Sequence, residues 1–239
     1  MNDATRREVS EARKQGLSIG IASGAYGISF GALSIAAGLD LWQTMALSLL
    51  LFTGGSQFAL VGIIGSGGNP ITAVATSTLL GIRNGLYGLQ TSRVLGLRGW
   101  RRAAAAQLTI DESTAISLAQ TTPEGRRQGF WAGGLAVFVF WNLSTLLGAG
   151  LGNALGDPRT WGLDAAAAAA FVALIWPRLQ DHTGRVTAAL AAAIALITFI
   201  PTPAGVPVLL AAIAAVVVGL LGTSPSSAHD IEQPEGDLL

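Results

Sequence analysis

Eight apolar stretches follow one another along this chain, at residues 17–39, 41–64, 71–89, 103–119, 130–151, 163–176, 186–200 and 206–221. A helix needs about 20 such residues to cross a hydrocarbon core roughly 30 Å thick. Lipid supplies no water to bonding groups, so a stretch of this kind has to close its own amides and carbonyls as helix. Apolar residues make up 51% of the chain and charged residues only 12%, against the ~25% charged that is usual in soluble domains. The expected fold is an all-α, polytopic membrane helix bundle of seven or eight segments. Its expected organisation is a polar segment at 1–16, one transmembrane domain at 17–221 and a disordered tail at 222–239, rich in Ser, Pro and acid and lacking an apolar face.

Several functions are excluded by what the chain lacks. The formal net charge is zero, which favours neither nucleic acid nor an acidic partner. There is no cysteine, hence no disulfide, thiolate metal site or cysteine nucleophile. His182 and His229 fall in a loop and in the tail, with no carboxylate cluster at ligand spacing, so neither a metal nor another cofactor is expected. No paired nucleophile and base argues for an enzyme. Residues 17–39 are too long and too rich in Gly and Ser for a signal peptide, and are expected to be retained. Arg6, Arg7, Arg13 and Lys14 point to a cytoplasmic N-terminus. With eight spans Arg126, Arg127, Arg178 and Arg185 also fall inside, yet Arg93, Arg98, Arg101 and Arg102 fall outside, against the rule.

Charge inside the apolar stretches carries the functional argument. Arg83 sits in the third, Asp111 and Glu112 in the fourth. Each costs about 2.5–3.5 kcal/mol at the bilayer centre, so they are expected to be buried together or to face water on a transport route. In the second stretch Thr53, Ser56 and Gln57 share one helix face around Gly54 and Gly55, which weaken the helix and predict a break. Thr72, Thr76, Arg83, Tyr87 and Gln90 form one stripe on the third, where Gly81, Gly85 and Gly88 offer a second place to unwind beside Asn84. Gln107, Asp111, Thr114, Ser117 and Thr121 form another on the fourth, with Glu112 about 100° away. Pairing Arg83 with one acid leaves the second carboxylate free for proton coupling. The alternative is that these side chains bond neighbouring helices and that Arg83 ties up helix-end carbonyls. Asp164 reads as a helix cap or as a pathway residue.

Glycines four apart, at 20/24, 27/31, 81/85 and 148/152, predict close helix packing. A faint echo links the end of the first stretch, Ser34, Ala37, Gly38 and Leu39 before Asp40 and Trp42, to the end of the fifth, Gly148, Gly150 and Leu151 before Trp161 and Asp164. Two related halves around a midplane site would produce it.

The stretches GAYGISFGALSIAAG (24–38), FTGGSQF (52–58), GIRNGLYG (81–88), LTIDES (108–113) and GLDAAAAAAFVALIWPRL (162–179) together resemble the AzlC family, the larger subunit of bacterial branched-chain amino-acid exporters. The resemblance runs over residues 20–179 and implies a multi-pass protein of the bacterial cytoplasmic membrane with a small, hydrophobic AzlD-type partner. Members carry an Arg followed by a His in the third segment. Here Asn84 holds the second place, so a histidine proton relay does not carry over, and Asp111 and Glu112 remain for that role. A zwitterion needs a cation for its carboxylate, an anion or carbonyl for its ammonium and an apolar wall, all of which these segments contain. The chain has no P-loop of its own. The expected function is proton-coupled secondary export of branched-chain or similar hydrophobic amino acids. Thr53, Ser56, Gln57, Arg83, Asn84 and Tyr87 would contact substrate or line the path, with Asp111, Glu112 and Arg83 balancing charge. The alternative function is a non-transporting structural or regulatory subunit whose polar stripes dock a partner helix.

Overall fold

Glycine at every third or fourth position gives helix α1 (Asp3–Ala36) a face without side chains, and α7 (Pro123–Leu155) lies directly on it. A Cβ placed on Gly20 would meet that of Ala136 at 2.6 Å, and one on Gly24 that of Phe140 at 2.6 Å. Gly31 and Gly148 run against the carbonyls of Thr145 and Ile28. In lipid this close backbone approach, and not burial from water, is what holds two helices together. The facing residues advance in step, Gly16 on Ala132, Gly20 on Ala136 and Gly24 on Phe140, so the two helices are parallel. Their starts define a proximal end of the bundle and their finishes a distal end. This computed structural model describes residues 2–155, 172 and 175–221.

The second apolar stretch does not cross. After α1 the chain turns at Gly38, whose φ of 91° suits glycine, and Asp40 caps α2 (Leu41–Leu50) through a reciprocal pair with Gln43. This helix descends along the bundle, Thr44 bonding Ser34 at 2.8 Å and Ser48 bonding Thr145 at 3.2 Å. At residues 51–54 the helix breaks, and α3 (Gly55–Gly65) climbs back until Gly65 reaches Ala37. The segment is a re-entrant hairpin with both ends distal. Helix α4 (Pro70–Leu95) then crosses the whole bundle without interruption. The unwinding expected at Gly81, Gly85 and Gly88 is absent, because the i to i−4 ladder continues through them.

The fourth stretch repeats this turn from the opposite end. Gly96 ends α4 in the left-handed region, near Arg127 on the proximal end of α7, and α5 (Trp100–Gln107) dips inward. The chain breaks at residues 108–110, and α6 (Asp111–Leu118) returns to the proximal end, where Gln120 meets Gln15. Both segments expected to span are therefore hairpins, and the two tips meet near the middle of the membrane. Beyond α7, α8 (His182–Phe199) and α9 (Val206–Leu221) join in a turn whose Gly205 touches Ile63 and Thr72 at the distal end. Most of the sixth expected segment, with Asp164, lies outside the described residues, as does the tail at 222–239.

Two units of opposite sense emerge, each a long helix followed by a hairpin: α1 with α2 and α3, then α4 with α5 and α6. Each begins its hairpin with Gly-Leu-x-x-Trp, at Gly38 to Trp42 and Gly96 to Trp100. The related pair among the described residues is thus segments one and three, whereas the sequence echo linked one and five. Parallel α1 and α7 cannot be partners in an inverted repeat. The turn-backs also sort the charge. Arg6, Arg7, Arg13, Lys14, Arg93, Arg98, Arg101, Arg102, Arg126 and Arg127 all gather toward the proximal end, while loops 37–40, 66–69 and 200–205 hold no Lys or Arg. The conflict over Arg93 to Arg102 arose from counting hairpins as spans.

The polar residues expected as a separate segment extend α1 as helix ahead of the span. There Glu8 accepts bonds from the amides and hydroxyls of Thr121 and Thr122, fastening α1 to the α6–α7 turn. These bonds, the Thr122 hydroxyl first, hold its carboxyl down at about 2. The sign follows: a depressed carboxylate contributes its stability at neutral pH and loses it only as pH falls through that value.

The chain has no cysteine, so single cysteines report topology directly. A cysteine at Ser66 is expected to label from the same face as one at Leu39, and one at Arg98 from the opposite face. Labelling of Ser66 and Arg98 in the reverse pattern would restore the crossing arrangement.

Candidate functional site

Four helix ends converge where the hairpin tips meet: the C-termini of α2 and α5 and the N-termini of α3 and α6. Each brings amides or carbonyls without helical partners to a depth where they need bonds from protein. Gln57, fully buried, supplies two of these bonds. Its Nε2 donates to Leu47 O at 2.9 Å and its Oε1 accepts from Gly54 N at 3.1 Å, stapling the arms of the first hairpin. From the second hairpin Gln107 Nε2 donates to Leu49 O at 2.8 Å. Ser113 closes that hairpin's own tip, accepting from Ile110 N at 3.1 Å and donating to Leu108 O at 2.7 Å.

Arg83, at the middle of the 26-residue α4, reaches both tips. Its Nη2 is 2.9 Å from Asp111 Oδ2 at the first residue of α6 and 3.3 Å from the carbonyl of Thr53 in the first break. The two side chains are 28% and 22% exposed. The carboxylate also complements the N-terminal dipole of α6. Glu112 turns away, as its 100° offset requires, and accepts from Ser23 Oγ of α1 at 3.0 Å. The inverted units thus touch in reciprocal fashion, α4 meeting the first tip through Arg83 and α1 the second through Ser23.

The sequence-predicted residues divide accordingly. Arg83, Asp111 and Glu112 come together around the tips. Thr53 contributes its carbonyl, while its hydroxyl donates to Leu51 O at 3.2 Å. Ser56, fully buried and without a bonding partner, faces Gly81 of α4. Gln57, expected in the path, is consumed by the hairpin staple. Asn84 is half-buried with Oδ1 unpartnered, and Tyr87 is half-buried one turn further along. The stripe on the third segment is not one surface, because Thr76 donates to Gly205 O at 3.4 Å and Thr72 also meets that turn. The stripe on the fourth is cut by the break between Gln107 and Asp111. Ser23 and the break at 108–110 were not anticipated. The signal for the break is the β-branched pair Thr109-Ile110 followed at once by Asp-Glu, an acidic helix start.

The arrangement offers a cation, two carboxylates, the Thr53 carbonyl that Arg83 reaches and two helix N-termini within a partly open centre. Such a set is chemically suited to charged or zwitterionic solutes; the described residues hold no group of three or more His, Cys, Asp and Glu. Breaking the ion pair leaves one charge uncompensated. Arg83→Gln and Asp111→Asn are each expected to lower stability by about 1–3 kcal/mol, and the double variant by less than their sum. Thermal unfolding of the detergent-solubilised protein reads this out, with strict additivity arguing against the pair.

Comparisons with known proteins come down to one result. The family profile described as AzlC protein matches residues 18–155, more than half of the chain, covering both hairpins and the helices around them. Neither the curated proteins nor the solved structures give a match. A helical membrane bundle whose broken helices meet at a partly exposed ion pair, matched over that length, belongs to the AzlC family of membrane transport proteins.

Proposed function

We propose that this protein is a secondary transporter that exports branched-chain or similar hydrophobic amino acids by proton-coupled alternating access. The observation that supports the reading is Arg83 of α4 paired with Asp111 at 2.9 Å and bonded to the Thr53 carbonyl at 3.3 Å, which joins it to two re-entrant hairpins that enter from opposite ends. Discontinuous helices meeting at mid-membrane are the usual means of presenting helix ends to a substrate. Arg83 takes the substrate carboxylate in place of Asp111. The Thr53 carbonyl and the released acid receive the ammonium, and Leu, Ile and Phe of the surrounding helices contact the side chain. Glu112, held apart on Ser23, carries the proton. A small AzlD-type membrane subunit is part of the same reading, as is a bacterial inner-membrane location.

The proximal end, which collects the arginines of α1, α4, α5 and α7, faces the cytoplasm under this proposal. In intact cells a cysteine at Leu39 is expected to react with an impermeant thiol reagent and one at Arg98 to be protected. The opposite pattern would invert the orientation and with it the assignment of export.

Transport in proteoliposomes tests the mechanism. Wild-type protein is expected to exchange leucine, isoleucine and valine. Arg83→Gln should abolish that exchange by at least about a hundredfold, the scale of losing a charge-assisted contact. Glu112→Gln should retain counterflow but lose accumulation driven by a pH gradient. Correct insertion with no wild-type flux across a panel of amino acids would instead favour a non-transporting subunit.

A further inference from the structure

A cleft of about 370 Å³ runs between α4 and α5, within the range of small-ligand pockets. Asn84 and Thr109 form its base, next to Arg83 and close to Asp111, and Arg102 stands at its proximal mouth. Leu89, Leu95, Leu97 and Ala105 line the walls between. From Arg102 on α5 to Thr109 just past its end the cleft extends roughly 10 Å, longer than the headgroup of one amino acid.

Two further observations mark the cleft as built for an occupant. Gly85 and Gly88 lie on its α4 wall, and a Cβ on either would meet nothing within 4 Å. Interior helical glycine costs about 1 kcal/mol relative to alanine. On α1 the close approach of α7 offsets that cost, whereas on α4 no helix comes near enough to require it. What these two glycines keep is open volume. At the base, Asn84 Oδ1 is buried without a bonding partner, an acceptor with nothing to accept.

Resting on the transport reading above, we infer that this cleft is an access subsite for a zwitterionic amino acid with an aliphatic side chain, Arg102 drawing in the carboxylate at its mouth and Asn84 receiving the ammonium at its base. The apolar walls contact the aliphatic chain during passage. The base then hands the solute to Arg83, whose carboxylate partner it exchanges.

Leucine uptake into everted membrane vesicles, which present the proximal face outward under the proposed orientation, tests the subsite with the full chain. Gly85→Leu and Gly88→Leu place a side chain into the cleft with the Cβ itself in open space, and each is expected to raise KM for leucine about tenfold or more. Arg102→Gln should raise KM as well, with Arg102→Lys restoring most of it. Gly150→Leu, at another glycine with open space around it, should leave KM unchanged. Wild-type uptake with unchanged KM in both filled variants would overturn the subsite alone, as it would if a lipid chain were the occupant. An equal effect of Gly150→Leu would overturn it too. Absence of leucine uptake by the wild type would overturn the transport reading together with the subsite.

Discussion

Helix ends in the middle of a membrane are the constraint on which this structure rests. Each leaves amides or carbonyls that lipid cannot satisfy, and leaving a buried one without a partner costs about 1–3 kcal/mol. The two hairpins are possible because their tips close one another: Gln57 bonds across the first, Ser113 across the second, Gln107 joins the second to the first and Arg83 joins both to α4. The candidate functional centre is therefore also the structural keystone. Motion that separates the tips has to replace these bonds with others, and a solute with its own carboxylate and ammonium is chemically fitted to do so.

Glycine has two uses in the same fold. On α1 it removes side chains so that α7 can approach to backbone contact, with Gly24 against Phe140 and Gly31 against Thr145. On α4, at Gly85 and Gly88, it removes side chains where no helix approaches, and the result is space beside Asn84. The spacing of four at 81/85 looks the same in sequence as that at 20/24. Only the presence or absence of a facing backbone separates packing from cavity.

The inverted relation between the two units explains several features at once. Each long helix crosses and is followed by a hairpin that re-enters from the end just reached, so the second hairpin enters opposite to the first. Both hairpins return to the end they left, which keeps the arginines after α4 on the same end as those in the first turns of α1. One aromatic cluster, Phe30 with Phe58 at 5.7 Å and Phe58 with Trp141 at 6.1 Å, ties the first hairpin to the α1–α7 pair.

Much of this was legible in the residues. Apolar run lengths fixed an all-α membrane bundle, Gly54-Gly55 located the first break, and the cost of Arg83, Asp111 and Glu112 in lipid called for burial together or contact with water, of which Arg83 and Asp111 form the pair while Glu112 bonds Ser23. The second break was hidden because Ala103 to Gln107 and Asp111 to Leu118 are each good helix, with only Thr109-Ile110 between them. What a linear pattern cannot carry is direction. A broken apolar stretch reads the same whether its second half continues across or turns back, since hydropathy records burial in lipid and not heading. Sequence alone determined the helical class, the charges that had to be paired and the place of the first interruption. Tertiary structure decided that both interrupted segments return, which acid takes the guanidinium and which glycines frame a cavity, because each depends on contacts between residues far apart in the chain.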